Sequence, residues 1–329
     1  MRILITGAGG FAGSHLAEYL RAQPAADVWG VDRGGTREAD YLPPQHALVA
    51  DLRDPAETRA VIRTVQPERI FHLAGQAFVG DSWADPWATL ETNLRAQVNL
   101  CEAVLAEGLR PRILALGSME EYGRVAAADL PIRETQPLRP DSPYGVSKVG
   151  QDLLGLQYFL SRGLPVVRVR PFNHIGPRQN PKFVAPAFAS QIAAIEAGRQ
   201  PPVLRVGNLS ARRDFTDVRD MVRAYGLALE HGEPGEVYNL GSGRSRSIQE
   251  LLDVLLGLAA CPITVEVDQA RLRPSDLPDV VCDGTAFRAR TGWEPRLPFE
   301  QSLRDLLDYE RSRLAAMGEG GPGTNAGRG

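Results

Sequence analysis

Two side chains with the spacing of helix neighbours are the first candidates for chemistry. Tyr144 and Lys148 lie four residues apart in the segment 141–148, Asp-Ser-Pro-Tyr-Gly-Val-Ser-Lys, and this spacing places them one turn apart on one helix face. A phenol titrates near pH ~10 in water, and an adjacent ammonium lowers its pKa. The pair therefore predicts an acid or base that works near neutral pH. Taken alone, the spacing is more typical of an ordinary helix-surface pair.

A glycine-rich turn near the N-terminus predicts a binding site. The apolar run 3–5 leads to Gly7, Gly10 and Gly13, which precede a helical run at 14–21 and a second apolar run at 28–31 that ends at Asp32. In such a strand, turn, helix and strand, the glycines allow a tight turn and let the backbone approach a pyrophosphate at the helix N-terminus. The pattern predicts dinucleotide binding.

The choice of dinucleotide depends on the residues after the second strand. Asp32 would accept hydrogen bonds from the adenosine ribose and repel a 2′-phosphate, which favours NAD. Arg33 and Arg37 would neutralise a 2′-phosphate, so NADP stays open. The alternative is a turn residue followed by a solvated loop.

Composition excludes several classes of protein. The chain has 329 residues, a net charge of −3 and 43% hydrophobic residues, so no nucleic-acid or anionic-membrane partner is expected. The three cysteines, at 101, 261 and 282, have no metal-ligand spacing, and a scattered odd set fits a reducing cytoplasm. No signal peptide or membrane-spanning run is recognisable, so a cytoplasmic protein without a metal is expected.

The order of the elements predicts the fold. Strands are expected at 3–5, 28–31, 46–50, 69–74, 112–117 and 166–170, with helices between them, including a run at 86–107 and another that Ser142 begins. A capping box at 54–57 starts the helix that ends near 65. This alternation predicts an α/β fold with a doubly wound parallel sheet of the Rossmann type.

The later part of the chain predicts a smaller, interwoven substrate domain. We expect residues 1–170 to form the dinucleotide domain, to which residues of about 213–241 return. Residues 171–212 and 242–316 would form the second domain, with a loop at 172–177, a helix at 183–197 and a strand at 203–206. A further sheet strand is expected at 236–240, within the segment that returns to the first domain. The glycine-rich segment 317–329 cannot bury a core and is expected to be disordered.

Several of these motifs together resemble the extended short-chain dehydrogenase/reductase family. The glycine-rich turn, Ser118 before the Tyr-Gly at 122–123, and the Tyr-x-x-x-Lys at 144–148 follow in the order and spacing of that family. The resemblance covers residues of about 1–315. It implies an enzyme that acts on nucleotide sugars with NAD or NADP.

Finer matches resemble one branch, the GDP-4-dehydro-6-deoxy-mannose reductases, which make GDP-rhamnose. They are the segments 120–123 (EEYG), 138–145 (LRPDSPYG), 172–177 (FNHIGP), 207–219 (GNLSARRDFTDVR), 272–275 (LRPS) and 291–293 (TGW). GDP-mannose 4,6-dehydratases share several of them. Glu120 occupies the position of the dehydratase base, and Met119 replaces a small polar residue. The chain lacks the basic insertion that dehydratases carry after the second strand, which favours the reductase.

The resemblance assigns roles to individual residues. Tyr144 would donate a proton, Lys148 would lower its pKa and bind the nicotinamide ribose, and Ser118 would stabilise the developing charge. The catalytic set is Ser118, Glu120, Tyr144 and Lys148. The cofactor contacts are Gly7, Gly10, Phe11, Ala12, Gly13, Asp32, Arg33, Asp51, Leu52, Leu73, Ala74, Gly75, Asn93, Tyr144, Lys148 and Pro171. The substrate contacts are Ser118, Glu120, Asn173, Val184, Arg213, Arg273 and Asp276.

Some alternatives stay open from sequence. Asn93 either binds the backbone of a neighbouring strand or lies on a helix surface, and Arg178 and Lys182 fit a solvated loop. A dehydratase or 4-epimerase that retains its cofactor competes with the reductase, and a non-catalytic dinucleotide sensor would not need Ser118, Tyr144 and Lys148. The family commonly forms homodimers or homotetramers through the helices from about 86 and 142. Leu153, Leu154 and Leu156 serve either that face or their own sheet.

Overall fold

The computed structural model describes residues 1–34, 41–271 and 277–319. The predictions for Arg37, Arg273, Asp276, the segment 272–275 and the tail beyond residue 319 lie outside these residues. Residues 318 and 319 are described by their backbone alone. The strands are β1 Arg2–Thr6, β2 Asp27–Asp32, β3 Ala47–Val49, β4 Arg69–His72, β5 Arg112–Leu116, β6 Val166–Pro171, β7 Asn173–Ile175, β8 Val203–Val206, β9 Arg212–Asp217, β10 Val237–Leu240, β11 Ser245–Ser247 and β12 Thr264–Val267.

Helices connect most of these strands. They are α1 Phe11–Arg21, α2 Pro55–Val65, α3 Val79–Ala84, α4 Pro86–Leu90, α5 Ala96–Ala106, α6 Pro143–Arg162, α7 Val184–Glu196, α8 Val218–His231, α9 Ile248–Gly257, α10 Thr285–Thr291 and α11 Phe299–Glu319. A π-helical turn, Glu91–Arg95, joins α4 to α5, so the run predicted at 86–107 is helical nearly throughout.

A parallel sheet organises the described part of the chain. Its seven strands have the order β10-β6-β5-β4-β1-β2-β3, and each neighbouring pair is parallel. The order reverses beside β1, as in a doubly wound dinucleotide fold. The predicted fold class is confirmed, with strand ends displaced by one or two residues.

The sheet is covered on both faces by separate cores. Ile3 and Ile5 of β1 pack in one core with Leu16 of α1 and Tyr225 of α8, whereas Leu4 packs in the other. The three β1 side chains are fully buried, and each contributes about 1.5–3 kcal/mol to the free energy of folding. The continuous apolar run therefore reflects a strand that is buried on both faces.

The predicted capping box at 54–57 is only half formed. The Asp54 carboxylate accepts hydrogen bonds from the backbone N–H groups of Ala56 and Glu57, at 2.7 and 3.0 Å. The Glu57 carboxylate accepts from the N–H of Asp51, at 2.7 Å, rather than from Asp54. The loop before α2 turns back toward the helix, so the N–H of Asp51 takes the place of the N–H of Asp54 as the donor to Glu57.

Four strands, β7, β9, β11 and β12, are not among those predicted from the sequence. Among them, β7 lies in the segment 172–177 that the sequence predicts to be a loop, and β9 and β11 pair with it in the order β11-β9-β7. A second small sheet pairs β12 with β8 in parallel.

The chain divides into two compact units. The first comprises Met1–His174, Arg213–Ser245 and Asp279–Arg296, and the second Ile175–Arg212, Arg246–Pro278 and Leu297–Gly329. The segment 279–296 therefore belongs to the first unit, although the sequence placed it in the second. Its Phe287 and Trp293 are buried in the same core as Ile3.

Within the part of the chain that the structure describes, no helix is both long and apolar enough to cross a bilayer. In the same residues, no group of three or more His, Cys, Asp or Glu side chains has an arrangement that fits a metal ion. The three cysteines are free thiols.

Candidate active site

The glycine-rich turn forms a tight cradle between β1 and α1. A Cβ atom on Gly13 would lie 2.0 Å from the carbonyl oxygen of Gly7, and Gly7 has φ +71° with the backbone N of Ala74 only 2.9 Å from its own Cβ position. Helix α1 begins at Phe11, after Gly10 as the N-cap residue, without a side-chain cap. The turn thus leaves room for an anionic group at the helix N-terminus, as a dinucleotide pyrophosphate requires.

Asp32 lies at the end of β2, where the sequence predicts the ribose contact. Its carboxylate accepts a hydrogen bond from the N–H of Arg33 at 2.8 Å. Asp51 instead holds Arg53, whose Nη2 donates to it at 2.6 Å, and this hydrogen bond lowers the pKa of Asp51. Leu52 is buried in the core rather than exposed to a ligand, so any role in cofactor contact falls to its backbone.

The end of β4 lies against the glycine-rich turn. The N–H of Leu73 donates to the carbonyl of Thr6 at 3.2 Å, and the N–H of Ala74 donates to the Thr6 hydroxyl at 3.1 Å. A Cβ atom on Gly75 would lie 2.8 Å from the Asn93 amide oxygen and 3.9 Å from Lys148 Nζ. The absence of a side chain at Gly75 therefore brings the loop close to the predicted catalytic lysine.

Asn93 is a buried connector, not a helix-surface residue. It lies in the π-helical turn and is 0% exposed. Its Oδ1 accepts from the N–H of Gln76 at 2.8 Å, and its Nδ2 donates to the Ser147 hydroxyl at 2.8 Å. Asn93 thus fastens the loop after β4 to α6, and π-helical turns are frequent at functional sites.

Ser118 and Tyr144 are brought together by two helix starts. Ser118 follows β5 and caps the short helix Met119–Glu121, so its Oγ accepts from the N–H of Glu120 at 3.2 Å. Tyr144 lies in the first turn of α6, which Ser142 caps by accepting from the N–H of Gly145 at 3.0 Å. Ser118 lies close enough to Tyr144 for its hydroxyl to lower the pKa of the phenol.

The predicted fall in the pKa of Tyr144 is wrong for this arrangement. Burial raises the pKa of Tyr144, with smaller contributions from the charges of Glu120 and Glu121, and the Ser118 hydrogen bond only partly offsets them. Lys148 Nζ lies 5.8 Å from the centre of the Tyr144 ring and donates instead to Gln151 Oε1 at 2.7 Å and Leu116 O at 3.0 Å. Burial lowers the pKa of Lys148 to about 8.

Two adjacent glutamates have different positions. Glu120 is half-buried and close enough to Tyr144 for its charge to raise the phenol pKa. Glu121 is fully buried, and its Oε1 accepts from the N–H of Ser118 at 2.7 Å. Glu121 is not among the site residues predicted from the sequence. The signal that identifies it is the Ser-x-x-Glu spacing of a capping box, which the structure shows in full.

The predicted substrate contacts fall in both units. The Asn173 amide oxygen is buried with no hydrogen-bond partner among the described residues. Pro171, a predicted cofactor contact, is buried nearby at the end of β6. The His174 ring stacks on the Phe11 ring at 5.5 Å, which places the Asn173 segment against the start of α1. Arg213 lies on β9 of the first unit, and Val184 begins α7 of the second.

Comparison with known proteins gives the family. A family model described as GDP-mannose 4,6 dehydratase matches residues 4–306. The chain belongs to this family. It is 38% identical over 313 residues to the GDP-6-deoxy-D-mannose reductase of Pseudomonas aeruginosa, an alignment that covers 95% of this chain and 98% of the relative.

Two solved structures of this nucleotide-sugar family are closely similar in fold. The structure of RMD from Pseudomonas aeruginosa complexed with NADPH has a TM-score of 0.85 and 36% identity, and the match covers 95% of this chain and all of that one. The UDP-glucose 4-epimerase of Thermus thermophilus in complex with NAD has a TM-score of 0.84 and 31% identity, and the match covers 94% and 99%. The predicted family is confirmed. The chain is a nucleotide-sugar oxidoreductase or dehydratase with a nicotinamide cofactor site.

Proposed function

We propose that the protein uses NADH or NADPH to reduce the C4 ketone of GDP-4-dehydro-6-deoxy-D-mannose to GDP-D-rhamnose. The observation that carries the proposal is that Ser118 lies beside Tyr144, a phenol that burial keeps protonated. Reduction of a ketone consumes a proton, so a neutral phenol beside the carbonyl is the required acid. The likeness to a GDP-6-deoxy-D-mannose reductase supports the choice of substrate.

The reaction divides between cofactor and protein. The bound nicotinamide supplies the hydride that adds to the sugar C4. Tyr144 donates its proton to the oxygen that becomes an alkoxide, and Ser118 donates a hydrogen bond to the same oxygen. Since Ser118 Oγ already accepts from the N–H of Glu120, its own proton is free to point at the substrate or at Tyr144.

Other residues would hold the two ligands. The cradle of Gly7, Gly10 and Gly13 with the α1 N-terminus suits the cofactor pyrophosphate. An ammonium has three N–H donors. Lys148 donates two of them to Gln151 Oε1 and Leu116 O, so the third N–H can donate to the nicotinamide ribose. The orphaned amide oxygen of Asn173 and the guanidinium of Arg213 would bind the nucleotide part of the substrate.

The cofactor preference remains divided between two features. Asp32 at the end of β2 favours NAD by repelling a 2′-phosphate. Arg33, whose charge reaches Asp51, favours NADP, and the relative from Pseudomonas aeruginosa is described in complex with NADPH. We propose that NAD is slightly favoured, because Asp32 lies at the end of β2.

The second candidate is a dehydratase or 4-epimerase. Glu120 lies near enough to influence Tyr144, and a carboxylate there suits removal of the C5 proton during elimination. The matching family model is described by the dehydratase activity.

One absorbance assay separates the candidates. Protein is mixed with NADH or NADPH and with keto sugar made from GDP-mannose by a separate dehydratase. Loss of reduced cofactor that depends on the keto sugar supports the reductase. A faster reaction with NADH would indicate that Asp32 sets the cofactor preference, and a faster reaction with NADPH would indicate Arg33. Conversion of GDP-mannose to keto sugar by this protein alone would instead establish the dehydratase.

We also propose that a second copy of the chain covers an apolar face of the first unit. Val146, Leu153 and Leu160 recur every seven residues along α6 and are 48%, 49% and 71% exposed, so they form one stripe. Trp83 and Trp87, 59% and 78% exposed on the adjacent helices, extend it. Leu154 packs into its own core instead, which separates the two roles that the sequence left open.

A further inference from the structure

Glu121 lies directly beneath the predicted catalytic serine. Its Oε1 accepts from the Ser118 N–H at 2.7 Å, and its Oε2 pairs with Arg170 Nε at 2.9 Å. A Cβ atom on Gly117 would lie only 2.2 Å from Glu121 Oε1. The carboxylate therefore fills the space under the end of β5 and contacts the backbone that carries Ser118.

A buried ionic network fixes Glu121 in place. Arg170 of β6 also donates through Nη2 to Asp152 of α6 at 2.5 Å, and Arg168 Nη1 lies 3.1 Å from the same Asp152 oxygen. All four side chains are nine-tenths or more buried. Because buried charges destabilise a fold unless they are paired, these contacts strongly constrain where the carboxylate can lie.

The same carboxyl group lies near Lys148, because Lys148 Nζ donates to the carbonyl of Leu116 at 3.0 Å and Glu121 Oε1 lies against the next residue, Gly117. Burial lowers the pKa of Lys148 to about 8, and the negative charge of Glu121 opposes that fall. Burial and the Asp152 charge raise the pKa of Glu121 to about 8, against the Arg170 and Lys148 charges that lower it. Glu121 therefore becomes charged in the pH range in which Lys148 loses its proton. The charged and titratable groups that face this pair are Arg170, Asp152, His72 and Tyr144.

We propose that Glu121 is a positioning residue that holds Ser118 through its backbone N–H and, once ionised, opposes the loss of the Lys148 proton. The proposal rests on the proposed function, because Ser118 and Lys148 matter through their roles there. It assigns different tasks to adjacent glutamates: the charge of Glu120 acts on Tyr144, and the Glu121 carboxyl group accepts from the Ser118 N–H.

The chain offers an unusually direct test of the charge effect. Lys148 and Lys182 are its only lysines, so ¹³C-labelled lysine gives two NMR signals, which a Lys182→Arg variant assigns. In the unaltered protein, the Lys148 signal should titrate near pH 8. In Glu121→Gln, which removes the charge but keeps an acceptor for the Ser118 N–H, its pKa should fall by roughly one unit. The matched Glu120→Gln variant should leave it in place.

A second variant tests the positional effect. Glu121→Asp keeps the charge but shortens the side chain, so the Lys148 pKa should stay near its wild-type value. The kcat should fall roughly tenfold or more because Ser118 loses its support, with little change in the KM for the reduced cofactor. In Glu121→Gln, the alkaline fall of kcat should move to lower pH, since Lys148 loses its proton earlier. A role in folding alone would not separate the two variants in this way.

Three outcomes would overturn the proposal. One is an unchanged Lys148 titration in a folded Glu121→Gln protein, and another is wild-type kcat in Glu121→Asp. The third needs no variant: a single-site Lys148 curve centred near the ordinary 10.5 in the unaltered protein. The titration uses no sugar substrate. If the wild-type protein fails to reduce the keto sugar, the proposed function fails while the charge effect on Lys148 still stands or falls by itself.

Discussion

The phenol of Tyr144 illustrates how residue spacing and residue environment differ. The four-residue spacing places Lys148 beside it, as the sequence indicates, but the ammonium turns to Gln151 and Leu116 O. Desolvation then outweighs the attraction between the two groups and raises the phenol pKa. A motif fixes which side chains share a helix face, whereas burial depends on the whole fold and is not visible in a local pattern.

The same phenol gives the residue-scale prediction. Tyr144→Phe removes the proton donor while keeping the ring, so turnover of the keto sugar should fall by ~10²–10⁴-fold. Binding of reduced cofactor, followed by its fluorescence, should change little. Tyr158 is a buried tyrosine on the same helix whose hydroxyl donates to Glu102 at 2.8 Å, so Tyr158→Phe is the matched control and should keep its turnover. Normal turnover in Tyr144→Phe would remove it as the acid.

At the scale of elements, the long apolar strands were predictable and the short polar ones were not. β1 and β5 are continuous apolar runs because they are buried on both faces. β7 and β11 have three residues each and include Asn173, His174, Ser245 and Arg246. No period marks so short a strand, and only pairing with distant residues makes it extended. Glu121 is a different case, because its capping-box spacing from Ser118 is visible in the sequence.

The turn between β1 and α1 gives the element-scale prediction. In Gly13→Ala, the added methyl group would meet the Gly7 carbonyl at 2.0 Å, so the turn and α1 must separate. This overpacking should cost about 1–3 kcal/mol, seen as weaker binding of reduced cofactor in calorimetry. Gly257→Ala is the control, because no atom lies within 4 Å of its Cβ position and alanine is the better helix residue. Unchanged cofactor affinity in Gly13→Ala would contradict the proposal that this turn binds the cofactor pyrophosphate.

The whole molecule shows why the domain limits were harder to predict than the motifs. The segment 279–296 follows a long stretch of the second unit, yet Phe287 and Trp293 enter the core that contains Ile3 and Tyr225. A local apolar pattern does not say which of two cores receives a side chain. The chain's return to the first unit is therefore a property of the packed fold.

Association of two copies gives the whole-molecule prediction. Leu153 and Leu160 lie on the exposed face of α6, while Tyr144 and Lys148 lie on its buried face. Replacing both leucines by lysine would bury unpaired charges in the proposed interface, and buried unpaired charges destabilise an interface strongly. The double variant should therefore sediment as a monomer in sedimentation velocity. The melting temperature of the monomer would show whether the fold survives. Val267, 61% exposed in the second unit, supplies the control, because Val267→Lys should sediment as the wild type does. Either a monomeric wild-type protein or a dimer that persists in the double variant would contradict the proposed interface.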